Sequence, residues 1–144
     1  MSSVDAKTRI KVCGATSVED AAHAAEAGAW AVGMVFAPGS PRRCRLEDAV
    51  EIGLALHRKA ELAGVFVNAP LDYVVRIAEQ ARLSLVQLHG DEGPSYADAV
   101  AAQTGCRVIK AVPVRTGADL QTLGQFRRVD FHLLDSGAGG KRGG

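Results

Sequence analysis

Cys13, Asp135 and Arg42 stand at or just beyond the ends of short apolar runs, and their types suit a reactive thiolate, an acid and a grip on an anion. A carboxyl group closing an apolar run such as VDFHLLD (Val129 to Asp135) is costly to bury as an anion. Burial raises its pKa toward that of a proton donor, which makes Asp135 a candidate general acid, with a loop or helix cap as the alternative role. A functional role for Cys13 needs the thiolate. An unperturbed thiol, with pKa about 8.5, is ionised to a few per cent at neutral pH, and the neighbouring Lys11 or a helix N-terminus would lower that pKa. The other reading of Cys13 is a small apolar residue filling the core. In Ser40-Pro41-Arg42-Arg43-Cys44-Arg45, a guanidinium suits a two-pronged hold on a carboxylate, and a solvated basic loop is the alternative. His89, in Gln87-Leu88-His89-Gly90, serves either to polarise a substrate or to satisfy a backbone carbonyl.

Elements must bring these groups together. RIKVC (Arg9 to Cys13), WAVGMVF (Trp30 to Phe36), LAGVFV (Leu62 to Val67), LSLVQLH (Leu83 to His89), CRVIKAV (Cys106 to Val112) and VDFHLLD each read as a strand buried on both faces. Between them lie helical stripes: Val18, Ala21, Ala22 and Ala25; Leu71, Val74, Val75, Ala78 and Ala81; and, more briefly, Leu120 and Leu123. Thr16 with Glu19 reads as a capping box, Pro70 and Pro94 suit first helical turns, and Gly28 and Gly105 suit helix ends. Six strands with five helices between them imply parallel βα repeats with right-handed crossovers, an α/β fold. Alternation puts Lys11 with Cys13, Gln87 with His89, and Leu133 with Asp135 on common faces. Their polar groups gather at the carboxyl ends of strands, where parallel α/β folds bind ligands.

The 144 residues support one domain, and 47% hydrophobic with 23% charged residues is an ordinary globular composition. Lys+Arg 17 against Asp+Glu 16 leaves no excess of positive charge for a nucleic acid, and no apolar run suits a membrane span. Three cysteines at long spacings, behind an N-terminus with no signal-peptide core, point to a reducing cytoplasm. Cys44 and Cys106 read as structural. His23, His57 and His132 have no metal-ligand spacing, so no metal is expected, and dinucleotide, P-loop and G-x-S-x-G signatures are missing. Length alone favours an open doubly wound sheet over a closed (βα)8 barrel, which needs about 200 residues.

Read together, Lys11-Val12-Cys13-Gly14, the stretch Gly33 to Arg42, Gly64 to Asn68, Val86 to Gly90, Val108 to Ala111 and Leu133 to Ser136 resemble the phosphoribosylanthranilate isomerase family, in order and spacing along nearly the whole chain. The resemblance overrides the length argument. It implies a (βα)8 barrel of tryptophan biosynthesis, here incomplete with about six βα units in one domain over residues 1–144. It also implies a cofactor-free Amadori rearrangement of N-(5-phosphoribosyl)anthranilate. Asp135 would be the general acid that protonates the furanose ring oxygen, and Cys13 the general base that takes the proton from the second sugar carbon. Arg42 would hold the anthranilate carboxylate, and Lys11, Gln87 and His89 complete the substrate-binding set.

Ala15 stands before Thr16, and Arg43-Cys44 follow Arg42, where the family has other residues. Gly143-Gly144 resembles the start of the family's Gly-Gly-Thr-Gly loop. The seventh and eighth units, and with them the phosphate-binding loops, are therefore expected to lie outside this chain, which alone is expected to be inactive. Open edges at the first and sixth strands would invite self-association or complementation by another chain. Another phosphosugar barrel enzyme, or a non-catalytic half-barrel binding module, are the competing readings.

Overall fold

The computed structural model describes residues 7–136. Strands and helices alternate: β1 (Lys11–Cys13), α1 (Val18–Glu26), β2 (Ala31–Val35), α2 (Leu46–Leu56), β3 (Glu61–Phe66), α3 (Leu71–Gln80), β4 (Leu85–Leu88), α4 (Pro94–Thr104), β5 (Arg107–Pro113), α5 (Gly117–Leu123) and β6 (Phe131–Asp135). Every strand pair is parallel, and the sheet order follows the chain from β1 to β6. A doubly wound sheet reverses its order at a switch point; this one does not. Right-handed crossovers then place all the helices on one face, and the sheet curls with its other face inward. Trp30, just before β2, meets Phe131 of β6 edge to face across that curl, with ring centroids 5.4 Å apart. The architecture is that of a six-unit portion of a βα barrel, and the open-sheet alternative fails on strand order. The glycine-rich tail from Gly137 lies outside the described residues.

Alternation sorts neighbouring side chains into two cores. Val32, Met34, Leu62, Phe66, Val86, Leu88 and Val108 face the helices and pack against Ile52, Leu56, Val74, Ile77 and Val100. Each such side chain contributes about 1.5–3 kcal/mol on burial. Ala31, Ala63, Leu85 and Ile109 point the other way and, with Trp30, Phe131 and Leu133, make an apolar floor inside the curl.

Four details differ from the sequence reading. Burial on both faces holds for the central strands but not for β1 and β6, whose outward residues Val12 and Leu134 are 42% and 60% exposed. These strands end the sheet order, where only one crossover helix flanks each of them among the described residues. The α1 cap is Ser17, whose Oγ accepts from Asp20 N–H, instead of Thr16 with Glu19. The residues before it are spent leaving the strand, since the N–H groups of Gly14 and Ala15 both donate to the Gly33 carbonyl. The reciprocal capping box lies instead at α5, between Thr116 and Asp119. Pro94 occupies the first turn of α4 as expected, whereas Pro70 is itself the residue preceding α3. Leu120 stays half exposed because short α5 reaches the core only through its last turn, at Leu123.

Candidate active site

At the carboxyl ends of the strands, a cavity of about 270 Å³ opens from the concave face. β1 contributes Lys11 and Cys13, β4 contributes Gln87 and its following residue His89, and β6 contributes Leu133 and Asp135. Ser40 and Arg42 come from the loop after β2, while Val35, Ala37, Val65 and Val67 supply apolar wall. All six residues singled out in the sequence, Lys11, Cys13, Arg42, Gln87, His89 and Asp135, thus face one space. The register explains how: Cys13 pairs with Gly33, while Asp135 pairs with Pro113 at the far end of β5. The hydrogen-bonded rows slant across the curled sheet, and the tilt brings strand ends to one rim.

Two glycines make room there. A Cβ on Gly33 would lie 3.0 Å from Cys13 Sγ and 3.3 Å from Lys11 Nζ, so thiol and ammonium sit side by side over a bare backbone. A Cβ on Gly14, whose φ is +100°, would lie 2.8 Å from Arg42 Cδ. Arg42 folds over that glycine and donates through Nη1 to the Cys13 carbonyl at 3.2 Å. Its loop is pinned to β2 by the Cys44 N–H, which donates to the Val35 carbonyl at 2.7 Å.

His89 meets two side chains of the site: Gln87 Nε2 stands 2.8 Å from His89 Nδ1, and His89 Nε2 stands 3.1 Å from Asp135 Oδ2. His57 and His132 bond the Gly53 and Phe126 carbonyls. The other two cysteines are remote. Burial, then the Asp48 carboxylate, pushes the Cys44 thiol up to about 11. Burial also pushes Cys106 up, opposed by its hydrogen bond with Thr104.

Sequence reasoning missed the bracket behind His89. Lys110, 2% exposed, donates to the Gly90 carbonyl and to Glu92 Oε1 at 2.9 and 3.0 Å. Glu92 accepts in turn from the Gly90 and Asn68 N–H groups. One buried ion pair therefore ties the loops after β3 and β4 to β5. The signal was visible: a lysine inside the apolar run CRVIKAV demands a partner.

A curled parallel βα sheet with its polar side chains collected at the carboxyl rim defines a barrel-type protein with a small-molecule site. A profile described as N-(5'phosphoribosyl)anthranilate (PRA) isomerase matches residues 10–143, and the chain belongs to that family. It is 47% identical over 136 residues to N-(5'-phosphoribosyl)anthranilate isomerase of Rubrobacter xylanophilus, covering 94% of this chain and 66% of that protein. Among solved structures it resembles phosphoribosyl anthranilate isomerase of Thermus thermophilus, with TM-score 0.77 and 43% identity, covering 88% of this chain and 62% of that one. It also resembles a phosphoribosyl anthranilate isomerase in complex with reduced 1-(o-carboxyphenylamino)-1-deoxyribulose 5-phosphate, with TM-score 0.82 and 39% identity, covering 89% and 64%. The chain thus spans just under two thirds of the length of these relatives. No helix among the described residues is long and apolar enough to cross a membrane.

Proposed function

We propose that this cavity carries out the cofactor-free isomerisation of N-(5-phosphoribosyl)anthranilate to 1-(2-carboxyphenylamino)-1-deoxyribulose 5-phosphate, a step of tryptophan biosynthesis. The observation that carries the reading is that Cys13, Arg42 and Asp135 line one space above an apolar floor. Arg42 holds the anthranilate carboxylate by charge-assisted hydrogen bonds. Asp135 gives its proton to the furanose ring oxygen as the bond from that oxygen to the first sugar carbon breaks, leaving a protonated Schiff base. Cys13, as thiolate beside the Lys11 ammonium, then removes the proton from the second carbon. The resulting enolamine tautomerises to the ketone as a proton moves from the hydroxyl on the second carbon to the first carbon. Asp135 is then ionised and Cys13 protonated, and one proton passed from the thiol to the carboxylate through solvent restores both. An acid and a base held in different surroundings can act at one pH. The resemblance to the isomerase family implies that phosphate is held by loops after a seventh and an eighth strand, which the described residues do not include.

The test measures turnover on the aromatic chromophore of the substrate, in this chain and in a polypeptide extended to the relatives' length. Cys13→Ala and Asp135→Asn should each lower kcat at least about a hundredfold. Retained turnover in both variants would remove the mechanism.

The same reading places the chain in the cytoplasm, in keeping with its three cysteines, all free of disulfides. It also assigns self-association, or complementation by another chain, to the open edges of β1 and β6, the end strands of the sheet order among the described residues, where Val12 and Leu134 are exposed. Sedimentation of Val12→Lys and Leu134→Lys should then show fewer associated species than the unaltered chain.

A further inference from the structure

Gln87 is almost completely buried, lines the cavity, and has its amide nitrogen 2.8 Å from His89 Nδ1. An amide nitrogen offers only hydrogens, so Nδ1 must accept. The single proton of the neutral ring is then on Nε2, directed at Asp135 Oδ2 at 3.1 Å. Had the amide been turned over, its oxygen would face Nδ1 and invite a proton there. The structure has the opposite orientation, even though it leaves Gln87 Oε1 buried and without a hydrogen-bond partner.

We propose that Gln87 is a positioning residue that denies His89 Nδ1 a proton, and so fixes the tautomer whose Nε2–H orients the Asp135 carboxyl group. This deepens the isomerase reading and rests on it for the role of Asp135 as acid. With Nδ1 facing an N–H donor, the ring presents Nε2–H to Asp135 Oδ2 and holds the carboxyl group in place at the cavity wall.

Nitrogen NMR of the full chain, labelled at its histidine rings and assigned with His89→Asn, reads this without any need for turnover. At neutral pH the unaltered chain should show His89 with an unprotonated Nδ1 and a protonated Nε2. Gln87→Glu, which puts an acceptor in the same place, should protonate both nitrogens. Gln87→Met, which removes the donor without adding charge, should release Nδ1 to exchange between protonated and unprotonated forms. Where turnover is measured, Gln87→Glu should lower kcat by tenfold or more and leave KM within about twofold; a loss of packing alone would move both. A protonated Nδ1 in the unaltered chain, or a ring in Gln87→Glu that keeps the original tautomer, overturns the inference. The predicted tautomer in a polypeptide extended to the relatives' length that still fails to isomerise the substrate leaves the inference standing and sinks the isomerase reading instead.

Discussion

Arg42 and Cys13 are joined through the backbone: the guanidinium donates to the Cys13 carbonyl at 3.2 Å, so the cation that would grip a carboxylate is braced on the same residue that carries the thiol. Gly14 is the peg on which this arrangement hangs. A methyl group there would meet Arg42 Cδ at 2.8 Å and Nη1 at 2.9 Å, and its φ of +100° disfavours any residue with a Cβ. In a polypeptide extended to the relatives' length, Gly14→Ala should raise KM about tenfold, equivalent to ~1.4 kcal/mol of lost binding, with a smaller effect on kcat. It should also cost ~1–2 kcal/mol of stability through backbone strain. Steady-state kinetics and urea denaturation check the two parts separately.

Lys110 and Glu92 are both almost fully buried, so the cost of breaking their pair lies mainly in the charge left behind. Lys110→Met should destabilise the chain by about 3–5 kcal/mol in urea denaturation. Adding Glu92→Gln to Lys110→Met should cost much less than Glu92→Gln alone, because the uncompensated carboxylate disappears while its N–H donors keep an acceptor. Equal costs in the two backgrounds would show that the residues act independently.

The three thiols should react in a fixed order. Cys44 and Cys106 are buried, with thiols pushed up from their ordinary value, Cys44 to about 11. At pH 8 only about one Cys44 in a thousand is thiolate, even before access is counted. Cys13 is half-buried on an open cavity. Alkylation with iodoacetamide, followed by peptide mass spectrometry, should therefore label Cys13 first and label Cys44 appreciably only above pH 10 or on unfolding.

The start of α5 should loosen in acid. Asp119 accepts from the Arg115 and Thr116 N–H groups, and these bonds, with the Arg115 charge, hold its carboxyl below the ordinary value. A carboxyl lowered in the folded state contributes stability above its unfolded pKa and loses it as pH falls through the folded one. Amide exchange in the first turn of α5, corrected for its intrinsic pH dependence, should thus show less protection below pH 4 than at pH 6. Asp119→Ala should remove that pH dependence.

Much of the site could be read before the fold because strand geometry is periodic. Two residues apart means one face, so Lys11 with Cys13 and Leu133 with Asp135 needed only alternation and the end of a run. The partners of His89 were not legible in the same way. Gln87 shares its face by spacing, but the amide-to-ring contact depends on rotamers, and Asp135 meets His89 only because the sheet curls. Burial of β1 and β6 was over-read since an apolar run records what a strand can bury and not where it sits in the sheet order. The α1 cap slipped from Thr16 to Ser17 because the hydrogen bonds by which a chain leaves a strand have no sequence signature beyond Gly14. Gly33 gave no signal, for the room it leaves matters only once Cys13 and Lys11 are laid beside it.

The contact of Trp30 with Phe131 gives the molecule its own optical gauge. Trp30 is the single tryptophan in the chain, and its ring touches the far strand only when the sheet has bent through its full arc. Indole emission therefore reports the bending as distinct from the formation of helices, which circular dichroism follows. Stopped-flow traces of the two signals would date the curling of the wall against the folding of the repeats that build it, without a label or an added mutation.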